Sequence, residues 1–166
     1  MDVGEGKVNK MIEVHERVLV GSDLDCRSGG PDIAVVHACK SPCHQRAVGY
    51  RGSLPSSHPN YLVLEREFDL YLNIIDPPVP LFRPELFQAF LSFADRHWGA
   101  GRTLLIHCNQ AESRAPTLAL LFLAKRLRSI NAESFEQARR EFLSKYPAYR
   151  PGEGLRQYMT LNWTSL

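Results

Sequence analysis

A cysteine and an arginine separated by five residues are the side chains of this sequence most suited to chemistry. They are Cys108 and Arg114, and they lie between an apolar stretch that ends at His107 and a second one that begins near Ala115. A loop wound between a buried strand and a buried helix directs consecutive backbone N–H groups toward its own centre, and the helix N-terminus adds about half a positive charge there. Such a loop is suited to binding a dianion.

The residue types of this loop favour phosphoryl chemistry. The thiolate is the nucleophilic form of cysteine, and the amide dipoles, the helix end and the guanidinium would all stabilise negative charge on Cys108. Arg114 can hold two phosphoryl oxygens through paired N–H groups, which a lysine cannot do. Phosphoryl transfer depends mainly on positioning and on charge stabilisation. The sequence therefore predicts a phosphate-binding segment made of Asn109, Gln110, Ala111, Glu112, Ser113 and Arg114.

Asp76 is the candidate proton donor for the oxygen that leaves phosphorus. It follows an apolar stretch and precedes Pro77 and Pro78, which stiffen the loop and can hold a carboxyl group over a pocket. It lies 32 residues before Cys108. The alternative interpretation is that Asp76 is an ordinary turn residue before a proline.

These residues resemble the signature of the cysteine-based protein tyrosine phosphatases, and specifically of the small dual-specificity phosphatases. That signature consists of His-Cys, five further residues and Arg, with a general-acid aspartate about thirty residues upstream at the end of a strand. The resemblance covers roughly residues 17–163. It implies Cys108 as the nucleophile, Arg114 as the phosphate clamp and Asp76 as general acid and then general base. It also implies that His107 orients the loop and helps to hold the thiolate.

The resemblance implies a cysteine-dependent tyrosine or dual-specificity phosphatase. Such an enzyme hydrolyses phosphomonoesters of the phosphotyrosine or phosphoserine and phosphothreonine type through a cysteinyl-phosphate intermediate. This reaction needs no metal ion and no cofactor, and its partner is a phosphorylated protein or a small phosphoester. A sulfur-transfer or arsenate-reducing enzyme would use the same thiolate, but the sequence does not supply the resolving cysteine expected near the loop.

Two positions depart from the family pattern. The family usually has glycine three residues after the cysteine, where this chain has Ala111, and serine or threonine directly after the arginine, where it has Ala115. A Cβ at the first position costs about 1–2 kcal/mol if the backbone must adopt a positive φ. The hydroxyl missing from the second position assists breakdown of the phosphocysteine, unless Ser113 substitutes for it. A catalytically weak or inactive phosphate-binding pseudophosphatase is therefore the alternative function.

A second group of reactive side chains comprises His37, Cys39, Cys43 and His44. These residue types bind zinc, but their spacing is not that of a standard zinc finger and no second ligand pair follows, so no metal site is assigned. In the fold that the resemblance implies, this segment borders the pocket, and its basic residues would contact an anionic substrate. A weaker hypothesis pairs Cys39 or Cys43 with oxidised Cys108. The basic residues of this segment are Lys40, His44 and Arg46.

Strand-like and helix-like patterns alternate along the chain. This order predicts an α/β fold with a central, mostly parallel sheet of about four or five strands flanked by helices. The third helix is expected to begin near Asn131, which is a good N-cap residue. Residues 11–16 and 17–20 are predicted to form a strand pair or one bent strand, and further strands are predicted at 33–38, 61–64, 68–75 and 102–108. Helices are predicted at 84–98, 115–127, 131–146 and 154–163, and a long loop at 39–60.

The composition suits a globular protein, since 44% of the 166 residues are hydrophobic and 23% are charged. A flexible N-terminal arm is expected at residues 1–10 and a single phosphatase-like domain at residues 11–166. No apolar run approaches the roughly 20 residues of a membrane helix, and no secretory signal is visible, which predicts a cytoplasmic protein without membrane contact. The four cysteines are expected to be free thiols.

The distribution of charge also favours an anionic substrate. The net charge of +2 is too small to favour a nucleic-acid partner. However, residues 1–95 carry 9 Lys/Arg and 13 Asp/Glu, whereas residues 96–166 carry 11 Lys/Arg and 5 Asp/Glu. The half that contains Cys108 and Arg114 is therefore the basic one.

Overall fold

The computed structural model describes residues 11–166, so the arm expected at residues 1–10 lies outside the described residues. Within these residues, six short strands are interspersed with helices along the chain. The strands are β1 (Ile12–His15), β2 (Val18–Gly21), β3 (Ile33–His37), β4 (Val63–Glu65), β5 (Asp69–Leu72) and β6 (Thr103–His107).

The strands form one sheet in the order β1-β2-β6-β3-β5-β4. The four central strands β2, β6, β3 and β5 run parallel, while β1 and β4 pair antiparallel at the two edges. The central strands are rich in buried Val, Ile and Leu, as expected for a parallel sheet that is covered on both faces. The α/β fold with a mostly parallel centre is confirmed. The sheet has six strands rather than four or five because both short edge strands pair with it.

Five helices pack around this sheet. The second begins with Pro84 in its first turn, as the sequence predicts, and the third is buried along most of its length because it runs through the apolar core. Within residues 11–166, no helix is long and apolar enough to cross a membrane. The helices are α1 (Gln45–Val48), α2 (Pro84–Gly99), α3 (Arg114–Lys125), α4 (Phe135–Lys145) and α5 (Glu153–Asn162).

The segment 39–60 contains more structure than the long loop predicted for it. A helical turn at Lys40–His44 leads into the short helix α1, which ends at Gly49 with a φ of +92°. The His44 ring then fastens the rest of the segment, because one nitrogen contacts the hydroxyl of Tyr50 at 2.7 Å and the other contacts the carbonyl of Asn60 at 2.9 Å. The polar composition of residues 39–60 gives no indication of this packing in the sequence.

The predicted start of the third long helix at Asn131 is wrong. Asn131 Oδ1 accepts a hydrogen bond from the backbone N–H of Glu133 at 2.8 Å, which forms a local turn. The N-cap of α4 is Ser134, whose backbone is extended and whose hydroxyl accepts a hydrogen bond from the N–H of Gln137 at 3.2 Å. Asn and Ser are both good N-cap residues. The side chain of Asn131 is used in the local turn, and Ser134 caps the helix.

Replacement of the cap tests this assignment. Ser134→Ala should lower the free energy of unfolding by about 1 kcal/mol, because the N–H of Gln137 loses its acceptor. Urea denaturation measures the change, with Asn131→Ala as the matched control. A larger effect of Asn131→Ala than of Ser134→Ala would contradict the assignment.

Candidate active site

Cys108 lies directly after β6, at the carboxyl end of the central parallel sheet, where α/β proteins bind their ligands. The neighbouring strands hold this position on both sides. The N–H of Cys108 donates to the carbonyl of Gly21 at the end of β2 at 3.3 Å, and the carbonyl of His107 accepts from the N–H of Ala38 after β3 at 2.9 Å. The signature loop, which we define as residues 108–114, then leads into α3.

A cavity of about 310 Å³ lies above the signature loop. Cys108 lines it although only 2% of the residue is exposed. Asp76 and Arg114 line the same cavity, so the structure brings all three residues predicted to be catalytic to one place. The remaining lining residues are Asn109, Gln110, Glu112, Ser113, Arg150 and Gly152.

The backbone of the signature loop is open to an anion. Among the described residues, none accepts a hydrogen bond from the backbone N–H groups of residues 109–114. Helix α3 begins at Arg114, so its N-terminus and partial positive charge lie at the same place. Unpaired amides and a helix N-terminus together form an anion-binding site. Of the residues predicted to bind phosphate, only Ala111 does not line the cavity with its own surface.

The guanidinium of Arg114 joins the signature loop to the segment that carries Asp76. Its Nη1 donates to the carbonyl of Ile74 at 3.1 Å, and its Nη2 donates to Oδ1 of Asn109 at 2.7 Å. The amide of Asn109 in turn donates to the carbonyl of Ser41 at 3.1 Å. These contacts hold the guanidinium at the wall of the cavity and leave its other N–H groups for a ligand.

The outer side of the signature loop is held by the region around the end of α4. The hydroxyl of Tyr146 donates to the carbonyl of Ala111 at 2.5 Å, and the N–H of Arg150 donates to the carbonyl of Glu112 at 2.8 Å. Burial raises the pKa of Tyr146 to about 12, so its phenol remains a hydrogen-bond donor at neutral pH. The carbonyls of the loop thus have partners outside the cavity.

The segment that carries Asp76 is fixed by the start of α5. A Cβ built on Gly152 would lie 2.2 Å from Oδ1 of Asp76, and one built on Gly154 would lie 2.3 Å from the carbonyl oxygens of Pro77 and Val79. Only glycine permits these approaches. The exposed carboxyl group of Asp76 therefore rests against the Gly152 backbone at the edge of the cavity.

Both departures from the family pattern have visible consequences. Ala111 adopts a φ of +59°, in the left-handed region that favours glycine, so its methyl group strains the loop. Ala115 is fully buried and offers no hydroxyl to the cavity. Ser113 does line the cavity, and its Oγ accepts a hydrogen bond from the N–H of Gly152 at 2.8 Å. This arrangement leaves the hydroxyl hydrogen of Ser113 free to donate.

Behind the signature loop, two buried histidines and a carboxylate form a hydrogen-bonded chain. Nε2 of His107 lies 2.8 Å from Nδ1 of His37, and Nε2 of His37 lies 2.8 Å from Oδ1 of Asp69. Burial lowers the pKa of His107 to about 4, with the neighbouring His37 as a further cause. Burial also lowers the pKa of His37, although the hydrogen bond to Asp69 opposes this. Both rings are therefore neutral at neutral pH.

The segment after β3 contributes less to the cavity than the sequence predicts. Lys40, His44 and Arg46 do not line the Cys108 cavity, and His44 is buried within its own loop. All four cysteines are free thiols, as expected. The pairing of Cys39 or Cys43 with oxidised Cys108 stays a prediction.

Comparisons with known proteins give a match in structure only. Neither a family model nor a curated protein sequence matches the chain. The human tyrosine phosphatase-like serine/threonine/tyrosine-interacting protein superimposes with a TM-score of 0.65, at 17% identity over 93% of this chain and 96% of that one. Human DUSP28 gives a TM-score of 0.61, at 15% identity over 93% of each chain.

A mouse putative dual specificity phosphatase gives a TM-score of 0.60, at 14% identity over 99% of this chain and 96% of that one. The chain has the fold of the dual-specificity phosphatases. The fold predicted from the sequence is thus confirmed. At these identities the likeness establishes the fold, and the activity must be argued from the site itself.

Sequence reasoning missed three residues of this site: Tyr146, Arg150 and Gly152. The Pro151-Gly152 pair is visible in the sequence as a turn signal before the last helix. Its contact with Asp76 is not visible, because the two positions are far apart in the chain. Tyr146 fits equally well as an ordinary apolar residue of the α4 face.

The strain at Ala111 can be measured as stability. Ala111→Gly should raise the free energy of unfolding by up to about 1 kcal/mol, since relief of about 1–2 kcal/mol of backbone strain exceeds the entropic penalty of glycine. The matched control is Ala100→Gly, at an exposed position where φ is −81° and no strain is relieved. Urea denaturation compares both variants. An equal effect of the two substitutions would show that Ala111 is unstrained.

Proposed function

We propose that this protein hydrolyses phosphomonoesters through a cysteinyl-phosphate intermediate on Cys108. The observation that carries the proposal is that Cys108, Arg114 and Asp76 line one cavity, above a loop whose amides are unpaired. A nucleophile, a bidentate cation and a proton donor are the groups that phosphoryl transfer through cysteine requires. Several structural neighbours carry phosphatase names, which supports the same class of reaction.

In the first step, the Cys108 thiolate attacks phosphorus, and an S–P bond forms as the P–O bond to the leaving group breaks. The amides of residues 109–114 and the guanidinium of Arg114 hold the phosphoryl oxygens. Protonated Asp76 gives its proton to the leaving oxygen. The rim position of Asp76, against Gly152, suits a donor that must reach an oxygen pointing out of the loop.

In the second step, water attacks the phosphocysteine, and Asp76 accepts a proton from that water. The S–P bond breaks, the Cys108 thiolate is restored and inorganic phosphate leaves. The family uses a hydroxyl after the arginine to assist this step, and Ala115 supplies none. Ser113 takes that role in our proposal, because its Oγ lies in the cavity and its hydrogen is free to donate.

The substrate in this proposal is a phosphorylated protein or small phosphoester. The cavity has a volume of about 310 Å³, enough for a phosphoryl group and part of its leaving group. Arg114 and Arg150 line it together with Asp76 and Glu112, so both cationic and acidic side chains face the cavity. A site of this kind suits several types of phosphoester rather than one.

A catalytically weak phosphate-binding module is the second candidate. It is favoured by the positive φ of Ala111 and by the buried methyl group of Ala115, which replace the glycine and the hydroxyl of active family members. It is opposed by the joint retention of Cys108, Arg114 and Asp76, since a module that only binds phosphate has no use for a proton donor. Turnover distinguishes the two candidates.

The nucleophile is tested by Cys108→Ser. We expect phenol release from an aryl phosphate to fall by at least about 1,000-fold, because a serine hydroxyl is a far weaker nucleophile than a thiolate. The matched control is Cys39→Ser, another buried cysteine outside the cavity, which should keep its activity.

Two results would change this assignment, and a third would locate the anion. Activity that survives Cys108→Ser and is abolished by EDTA would remove the mechanism. Absence of Cys108-dependent turnover, with vanadate binding retained in calorimetry, would establish the phosphate-binding module. Loss of that vanadate binding in Arg114→Lys would locate the bound anion at the signature loop in either case.

The proton donor is tested by Asp76→Asn. We expect the rate to fall by about 100-fold or more for alkyl phosphates and by much less for activated aryl phosphates, whose leaving groups need little protonation. Gly152→Ala should show the same pattern, since its Cβ would displace the Asp76 carboxyl group.

The matched control is Asp32→Asn, an exposed aspartate outside the cavity, which should leave all rates unchanged. Equal losses for alkyl and activated aryl substrates in Asp76→Asn would argue against an acid role. In that case Asp76 would serve only to position the loop.

A further inference from the structure

A second cluster of reactive side chains lies behind the signature loop. The ligand atoms of Cys26, His37, Cys43 and His107 all lie within 4.8 Å of one another. Four separate segments supply them: the chain after a helical turn at Asp23–Asp25, the end of β3, the turn before α1 and the end of β6. Two thiols and two imidazoles form the donor set of a tetrahedral structural zinc site.

The distances within the cluster suit such an ion. Nδ1 of His37 lies 2.8 Å from Nε2 of His107 and 3.7 Å from Sγ of Cys26. Tetrahedral zinc, with Zn–S bonds of about 2.3 Å and Zn–N bonds of about 2.0–2.1 Å, holds its ligand atoms about 3.3–3.8 Å apart. The 2.8 Å contact and the 4.8 Å limit of the cluster lie on either side of this range, so side-chain movements of about 1 Å would bring all four atoms to a common centre.

A buried carboxylate orients one of the imidazoles toward this centre. Asp69 is 8% exposed, and its oxygens accept hydrogen bonds from the N–H of Gly29 at 2.9 and 3.1 Å. A carboxylate only accepts, so the 2.8 Å contact with His37 fixes the proton on Nε2 and leaves the Nδ1 lone pair facing the cluster. Stacking on Tyr71, with ring centroids 4.2 Å apart, fixes the plane of the His37 ring.

This arrangement is the one that metal-binding histidines use. A histidine ligand commonly donates its second ring N–H to a carboxylate, which fixes both its tautomer and its orientation. The hydrogen-bonded chain alone would need no thiols, yet Cys26 and Cys43 approach it from two other segments. Their convergence on Nδ1 of His37, the ring nitrogen that carries the lone pair and already contacts His107, is the observation that points to an ion.

The cluster is accessible and separate from the catalytic cavity. Cys26, His37 and Cys43 line a different cavity of about 500 Å³, and Cys26 is exposed at its entrance. Arg27, Arg46 and Arg66 also line this cavity. They do not oppose an ion here, because Zn²⁺ with two thiolates and two neutral imidazoles has no net charge.

We propose that Cys26, His37, Cys43 and His107 bind one structural Zn²⁺ ion. The ion replaces the two thiol protons, which pass to solvent, and His107 binds through Nε2 with its own proton on Nδ1. The metal fastens the segment after β3 to the end of β6, directly behind the nucleophile. This site goes beyond the proposed phosphatase activity and takes no part in its steps.

Metal binding to the reduced protein tests this proposal. After removal of metal with a chelator in the presence of a phosphine reductant, we expect one Zn²⁺ per chain by competition with a chromophoric chelator. Co²⁺ should give the visible absorption of a tetrahedral thiolate site. Zinc should also raise the melting temperature, since it binds the folded chain.

Substitutions locate the ion. Cys26→Ser and Cys43→Ser should each weaken zinc binding by at least about 100-fold, and Asp69→Asn should weaken it by about 10-fold. The matched controls are Cys39→Ser, a neighbouring thiol outside the cluster, and Cys108→Ser, the catalytic thiol, and both should still bind one ion. Because Cys26 is exposed, its variant should melt at the temperature of the metal-free wild type.

Three outcomes would overturn the proposal. The first is failure of the reduced protein to bind zinc at one ion per chain. The second is loss of binding in Cys39→Ser or Cys108→Ser with binding retained in Cys26→Ser, which would place the ion elsewhere. The third is a disulfide that involves Cys26 or Cys43 in the isolated protein, found by non-reducing mass mapping, with no zinc bound after reduction.

Discussion

The bridge that Arg114 makes between the carbonyl of Ile74 and the side chain of Asn109 determines the geometry of the rest of the site. Asp76 lies only two residues beyond Ile74, so this contact sets the distance between the proposed proton donor and the proposed phosphate clamp. The same carbonyl accepts a hydrogen bond from the N–H of Lys40 at 3.1 Å, which joins the segment after β3 to the segment that carries Asp76. The guanidinium is therefore in place before a ligand arrives, and no binding energy is needed to order it.

This preorganisation has a structural cost at Ala111. The signature loop turns its carbonyls outward to Tyr146 and Arg150 and leaves its amides unpaired, which requires a left-handed residue at its turn. Glycine adopts that conformation freely, whereas alanine holds it at a cost of about 1–2 kcal/mol. The surrounding hydrogen bonds impose the conformation, and so the loop keeps its anion-binding form despite the methyl group. Strain of this kind affects stability more directly than it affects the position of the amides.

The sequence predicted the parts of the site that depend on local order. Cys108 and Arg114 belong to one strand–loop–helix unit, and Asp76 follows a recognisable apolar stretch whose strand β5 ends at Leu72, so spacing and hydrophobic pattern were sufficient. The sequence does not predict the roles of Gly152 and Tyr146 in the site, because these roles depend on where α4 and α5 pack. Asn131 was mistaken for a helix cap because two good cap residues lie three positions apart, and only the local turn at Asn131 separates them.

The cysteine and histidine cluster shows the same limit more clearly. The sequence grouped His37, Cys39, Cys43 and His44 by proximity in the chain, and in that grouping the metal spacing is poor. The parallel register instead places His37 directly opposite His107, and the turn after β3 brings Cys43 back to the same point as Cys26. Pairings across a sheet have no signature in a single sequence, because register depends on how the strands assemble.

The register also places the cysteine and histidine cluster next to the cavity above the signature loop, while the two remain separate. His107 and Cys108 are consecutive residues at the end of a strand, so one side chain faces the hydrogen-bonded chain with Asp69 and the next lines the cavity above the signature loop. A metal held by His107 would limit movement of the backbone that carries the nucleophile, and the phosphate would still meet only amides and Arg114. Such a constraint serves a loop that must keep an alanine in a left-handed conformation. It would do so equally in a fast enzyme and in a phosphate-binding module, because both need the same loop shape.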